Sequence, residues 1–167
     1  MREQIIEAVA TYLPPPVTTV LVAALPIVEL RGALPYALTL GNVPLLEAYL
    51  LAVAGNMLPI PFIILFLEPA TRFLRRWKLG DRFVEWLFAR TRRKGGKIEK
   101  YEALGLIMFV AIPLPVTGAW TGSLAGHIFG IKPIRTFFAC LAGVCIAGVV
   151  VSVLTLGVKE VWTAVFG

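Results

Sequence analysis

The sequence predicts an all-α integral membrane protein. It is expected to consist of two inverted repeats, each a re-entrant helical hairpin followed by a transmembrane helix, joined by a basic amphipathic cytoplasmic segment. Three observations predict this. Of 167 residues, 58% are hydrophobic and 16% charged, with a mean hydropathy of +0.83, whereas a soluble domain is nearer to half apolar and a quarter charged. The charge is concentrated: between Arg72 and Lys100, eleven Lys/Arg stand against three acids, in a chain whose net charge is +6. One basic block between two apolar halves is the positive-inside signature of a cytoplasmic loop and not a nucleic-acid surface. Finally, the two apolar halves repeat one another.

Residues 1–16 open with MREQIIEAVATYL, where Glu3 and Glu7 stand among apolar residues, and lead into Pro14, Pro15 and Pro16. Without a small-residue cleavage site this predicts an interfacial amphipathic helix and not a signal peptide. Repeat 1 covers 17–68. Its first part, 17–40, has the length of one tilted span, about 20 residues or more, but two prolines and a charged pair lie at its middle. A helix–turn–helix entering and leaving on one side is expected instead, each arm about 15–18 Å long. Gly41, Asn42, Val43 and Pro44 form the next turn. A true span follows over 45–67, kinked near Gly55, Asn56, Pro59 and Pro61, and Glu68 and Pro69 end it at the cytoplasmic surface.

The linker, 69–102, mixes aromatics and leucine with basic residues at helical spacing, as in a helix lying among headgroups, until Gly95 and Gly96 break it. Repeat 2 covers 103–160. It runs apolar to Ile112 and meets a second break at Pro113 and Pro115. Gly122, Gly126 and Gly130 then recur every four residues, which predicts a small face for close helix approach. Lys132 and Pro133 mark the return to the surface, and 134–157 is the last span, with Cys140, Gly143, Ala147 and Gly148 as small packing positions. Cys140 and Cys145, five apart, suit neither a disulfide nor a zinc site, and no metal cluster, phosphate loop or cofactor motif is read.

The two halves align on RGALPYALTLGNVPLLEAYLLAVAG and TGAWTGSLAGHIFGIKPIRTFFACLAG. Gly32 and Ala33 pair with Gly118 and Ala119, Gly41 with Gly130, Pro44 with Pro133, and Ala54 and Gly55 with Ala142 and Gly143, at offsets of 86, 89, 89 and 88. A re-entrant hairpin plus a span crosses the membrane an odd number of times, so the second copy runs inverted. Inverted repeats whose broken helices meet at the midplane are an architecture of secondary transporters.

Candidate functional residues gather at the two breaks. Glu29 and Arg31 place opposite charges within an apolar run, where an ionised residue costs roughly 2.5–3.5 kcal/mol unless it is paired or lines a wet path. Pro26, Gly32 and Pro35 bracket them and break the helix. A carboxyl at low dielectric resists ionisation and exchanges a proton readily, while the planar fork of arginine suits a phosphate or carboxylate; the structural alternative is an ion pair that locks the hairpin tip. Asn56 either hydrogen-bonds a hairpin or lines the path. Thr117, Gly118, Trp120, Thr121 and Ser123 offer hydroxyls and a ring at the second break, where they also serve as ordinary packing. Glu47 reads as interfacial. Ser123 and His127 are four apart, but serine directly after Gly122 does not fit a nucleophile elbow and the chain has a single histidine, so an enzyme is not expected.

ELRGALPYAL early in the chain and IPLPVTGAWTGSLAG late join charged or aromatic residues to prolines and glycines at fixed spacing. On these motifs the chain resembles the small multidrug export protein family over nearly its whole length. That family is in turn similar to the DedA superfamily of membrane proteins, which implies two re-entrant hairpins, dependence on the proton-motive force and translocation of carrier lipids. Pro26, Ile27, Val28 and Glu29 look like the first DedA hairpin, and 113–126 look like the second, with Ala125 and Gly126 at the matching Ala-Gly. Where DedA proteins carry an arginine in the second hairpin, this chain has Thr117, Gly118 and Trp120. The nearest arginine is Arg135, and Arg31 offers a positive charge from the first hairpin.

The expectation is therefore a multi-pass inner-membrane transporter without cofactor, exporting or translocating a small amphipathic or anionic substrate by alternating access at the hairpins. Glu29 would exchange a proton and Arg31 would steer the substrate. Membrane lipids, protons and a small-molecule or lipid substrate are the partners, a homodimer is the expected assembly, and nucleic acid is not expected. Two alternatives stand beside this: a carrier-lipid (polyprenyl phosphate) flippase or phospholipid scramblase, and a non-transporting membrane assembly factor.

Overall fold

The computed structural model describes residues 2–74, 76, 77, 82, 102–112 and 117–166. Most of the expected basic linker therefore lies outside the described residues, as do Pro113 and Pro115. The described elements are α1 (Arg2–Ala10), α2 (Pro15–Ala24), α3 (Glu29–Thr39), α4 (Leu45–Met57), α5 (Ile60–Leu74), α6 (Glu102–Ala111), α7 (Ala119–Ile128) and α8 (Pro133–Phe166). Two stretches are long and apolar enough to cross a membrane, Leu45–Phe73 and Pro133–Val158. Leu46, Phe62, Leu65 and Phe66 on the first and Val149 and Val153 on the second are all more than half exposed, a surface suited to lipid.

The chain forms two compact units, Met1–Leu58 with Val144–Gly167, and Pro59–Gly143. In the first, Pro15 occupies the first position of α2, where a missing N–H costs nothing. Leu25 is extended at ψ 135° because the ring of Pro26 disfavours helix in the residue before it, and α2 stops there. The chain turns and resumes as α3, whose far end returns to the start of α2: a Cβ on Gly41 would lie 3.2 Å from Pro15 Cβ. The pair is an antiparallel helical hairpin. Val22, Ala23, Val28 and Ala33 form its core, and Ile6 and Val9 of α1 pack on them, so part of the N-terminal helix expected at the interface covers the hairpin.

The break is narrower than the proline and glycine pattern predicts. Pro26 lies in the turn, but Gly32 and Pro35 lie inside α3. One missing N–H at Pro35 is offset by packing, since Ala33, Leu34 and Ala37 are fully buried. On α4, a Cβ on Gly55 would fall 2.4 Å from the Val20 carbonyl oxygen and 3.0 Å from Ala23 Cβ, so glycine there lets α4 lie directly on α2. The second half of α8 completes the unit. The Tyr49 hydroxyl donates to the Cys145 carbonyl at 3.0 Å, and the Tyr49 ring lies against Gly148, 2.7 Å from where a Cβ would stand.

In the second unit α5 runs through Pro69 to Leu74, past the end expected at Glu68. The Thr71 hydroxyl contacts the Leu67 and Glu68 carbonyls, and Arg72 binds Glu68 one turn back at 2.8 Å, so local bonds carry the helix past the proline. The α6 and α7 helices pack together, a Cβ on Gly122 falling 2.5 Å from Val110 Cγ2. The first half of α8 lies on both: Gly126 faces Thr136 at 2.5 Å, and Gly143 faces Val110 at 2.6 Å and the Ile107 carbonyl at 2.9 Å. Gly130 does not belong to this packing face. It has φ +74° and nothing near its Cβ position, and it ends α7 by the hydrogen bonds Gly130 N–H to His127 carbonyl and Ile131 N–H to Gly126 carbonyl, 3.0 and 2.9 Å. This left-handed helix stop favours glycine.

Candidate functional site

In the first unit Pro26 lies in the turn between α2 and α3, and Glu29, Arg31 and Gly32 follow it in the first turn of α3. Glu29 begins α3 with φ +54°, a left-handed conformation that costs a non-glycine residue about 1–3 kcal/mol and is met chiefly at functional positions. Its N–H donates to the Leu25 carbonyl at 2.9 Å, and the residue is only 8% exposed, between Val28 and Leu30, which are more deeply buried still. The strained backbone thus holds a carboxyl at a buried position. Arg31 and Gly32 follow, both half-buried, and Pro26 is exposed in the turn. Val28 Cγ1 lies 2.3 Å from where a Cβ on Gly32 would stand, so glycine permits the tight entry into α3. Pro35 lies farther along α3, one turn beyond Arg31, and belongs to the helix and not to the turn.

Asn56 lies on α4, which packs on α2. Its neighbour Gly55 is seated on Val20 and Ala23, which places Asn56 beside the last turn of α2. Asn56 is 3% exposed, and its amide oxygen has no hydrogen-bond partner. An unsatisfied buried polar atom costs about 1–3 kcal/mol and calls for a role. Ser152, on α8, is the other described case, 8% exposed with an unpartnered hydroxyl. Sequence reasoning missed it; the only signal was one serine in the apolar run VVVSVL.

In the second unit the expected residues divide. At the start of α7 the Thr121 hydroxyl accepts the Gly118 N–H at 2.9 Å, and the Thr117 hydroxyl donates to the Ile112 carbonyl at 3.0 Å, closing the chain across the break. Trp120 is half-buried there. Arg135 is not brought to this end. It lies exposed in the first turn of α8, beyond the far end of α7, because that helix carries the chain about 15 Å away from the break at 1.5 Å per residue. Nor do Ser123 and His127 pair: Ser123 donates to the Ala119 carbonyl at 2.7 Å, while His127 Nε2 lies 2.9 Å from the Thr71 hydroxyl. The Thr71 link joins α5 to α7 across 56 residues of sequence and was not foreseeable. His127 lies outside the two long apolar helices; burial pushes its pKa below the ordinary value, and the Glu68 carboxylate pulls the other way.

Residues 29–150 match the family model described as Putative small multi-drug export protein. The chain belongs to that family. The match begins on Glu29, the first residue of α3, and reaches into α8, taking in the whole of the long apolar stretch Leu45–Phe73 and the greater part of Pro133–Val158. No curated protein and no solved structure matches the chain. Small multi-drug export is a transporter-type function and not an enzymatic one, and with the two apolar helices it makes this chain a membrane protein.

Proposed function

We propose that this member of the small multi-drug export family expels a small amphipathic substrate across the inner cell membrane in exchange for protons, with Glu29 as the exchanging group. The observation that carries the reading is a buried carboxyl on strained backbone at a helix break; the buried Asn56, whose amide oxygen is unpartnered, stands on the neighbouring α4. Export against an inward proton gradient requires proton and substrate to exclude one another at one group. A carboxylate does this for a positively charged or zwitterionic head, whose anionic part suits the fork of Arg31. Asn56 supplies a further polar contact that α4 already holds desolvated.

Membrane topology supports the same reading. The first hairpin brings its two ends together at Pro15 and Gly41, as an element that enters and leaves on one side must. In the second unit, α7 ends beside the last turn of α5, which leads into the basic block of the cytoplasmic side. Gly55 and Gly143, 88 residues apart, each seat a following helix on the helix that precedes a break. These parallels support two re-entrant hairpins in inverted repeats, and the likeness to DedA proteins belongs to this proposal. Two spans and two hairpins are few for a sealed path, so the proposed working form is a homodimer.

The test is transport in proteoliposomes under an imposed pH gradient, with a lipophilic cation and a fluorescent phospholipid as parallel substrates. Cation movement that requires both the gradient and Glu29, and is lost in Glu29→Gln, is the expected result. Lipid movement indifferent to the gradient would replace this reading by a scramblase or carrier-lipid flippase. Movement of neither, with Glu29→Gln and Arg31→Ala tolerated in cells, would leave an assembly factor.

A further inference from the structure

We infer that the end of the second unit where α5, α7 and α8 come together binds the phosphate headgroup of an anionic phospholipid. Two contacts assemble this end. The Thr71 hydroxyl lies 2.9 Å from His127 Nε2, joining the last turns of α5 and α7. Thr136 lies 2.5 Å from the Cβ position of Gly126, joining the end of α7 to the first turn of α8. Basic residues stand immediately beside each contact. Arg72 follows Thr71, Arg135 precedes Thr136, and the Lys132 carbonyl accepts the Thr136 N–H at 3.0 Å. Arg76 comes one turn after Arg72, its N–H on the Phe73 carbonyl at 3.1 Å.

Arg72, Arg76, Lys132 and Arg135 are all exposed. Glu68, the acid described at this end, is held by Arg72 at 2.8 Å, so a clear excess of positive charge is presented by two chain segments about 60 residues apart in sequence. Exposed aromatic rings lie among the cations: Phe73, Trp77 and Phe129 are each at least half exposed. Rings beside cations are the composition of the headgroup level of a membrane. They also distinguish a lipid from a free phosphate, because only the lipid brings acyl chains that bury the rings. The side agrees as well, since α5 leads into the basic block and the cytoplasmic leaflet is the anionic one.

This site is independent of the transport reading and is tested without it. The full-length protein in a neutral detergent is titrated with phosphatidylglycerol or phosphatidylcholine, and bound lipid is counted by native mass spectrometry. Phosphatidylglycerol is expected to bind at least tenfold more tightly. Lys132→Gln with Arg135→Gln should weaken it about twenty-five-fold, at about fivefold per basic residue, leaving phosphatidylcholine unchanged. Arg72→Gln with Arg76→Gln provides a second pair, so a folding defect in one does not decide the result. Equal affinity for the two lipids, or a preference retained in both double variants, overturns the inference. So does displacement of the lipid by equimolar inorganic phosphate, which would mark a site for the free anion.

Discussion

Glu29 combines a side chain chosen for charge with a backbone conformation suited to glycine. The two properties separate by substitution. Glu29→Gly should relieve the left-handed strain and raise stability by about 1 kcal/mol, while abolishing gradient-dependent transport; Glu29→Gln keeps the strain and should lose transport with little change in melting temperature. Thermal unfolding of the purified variants beside the proteoliposome assay reads both. If Glu29→Gly melts lower than wild type, φ at this position is not what limits stability. Asn56→Leu makes a related case. Replacing an unsatisfied buried amide with an apolar group of similar volume should stabilise by about 1 kcal/mol and reduce transport, the trade expected where a polar group is kept for work and not for packing. Sequence alone led to both positions through the expense of polarity in an apolar run. The φ of Glu29 was not legible, because nothing in a glutamate announces a left-handed residue. Ser152 was hidden because one serine in a helix is usually satisfied by the carbonyl a turn back.

At the scale of helices, some glycines sit at close contacts and others do not: Gly55 and Gly143 lie against backbone carbonyls, whereas Gly105 and Gly157 have no neighbour. Gly55→Ala and Gly143→Ala force a methyl group against a carbonyl oxygen and should each cost about 1–3 kcal/mol. Gly105→Ala and Gly157→Ala, with nothing within 4 Å of the added carbon, should be neutral or slightly stabilising through helix propensity. The comparison is made by melting temperature in one detergent, and equal losses at all four sites would contradict the packing described. His127 adds a pH signature. Its pKa is lowered on folding, so the neutral ring is the form the fold favours. Stability is therefore full above the unfolded value of about 6.5 and declines as pH falls from there toward the folded value. His127→Phe should remove that part of the acid sensitivity in a melting profile against pH. The helix periods, the stop at Pro26 and the small-residue approach at Gly122 and Gly126 were legible from sequence. The passage of α3 through Pro35 and of α5 through Pro69 was not, because burial and side-chain bonds outweighed local propensity. Gly130 was misread because spacing alone does not separate a packing glycine from a turn glycine.

For the molecule as a whole, the decisive prediction concerns sides. With Cys140 and Cys145 replaced by alanine, Asn42→Cys should react with a membrane-impermeant maleimide from outside intact cells, and Lys132→Cys only in inside-out vesicles. Labelling of both from one side would remove the inverted repeat. The all-helical class, the membrane location and the export family followed from composition, the basic block and two motifs. The division into units did not, since it depends on contacts such as Tyr49 with Cys145, whose 96-residue separation leaves no local trace.

That separation has a consequence for how the protein is made. The second unit is continuous in sequence, Pro59–Gly143, whereas the first combines Met1–Leu58 with Val144–Gly167. A ribosome adding about 5–20 residues per second therefore delivers the first hairpin and α4 several seconds before the segment that covers them. During that interval Tyr49 has no Cys145 carbonyl to bind, and the side of α4 that meets Gly148 is without that cover. The segment that completes the first unit is thus made after the whole of the second, and a chain released before Val144 would contain every residue of the Glu29 turn without the helix that closes its unit.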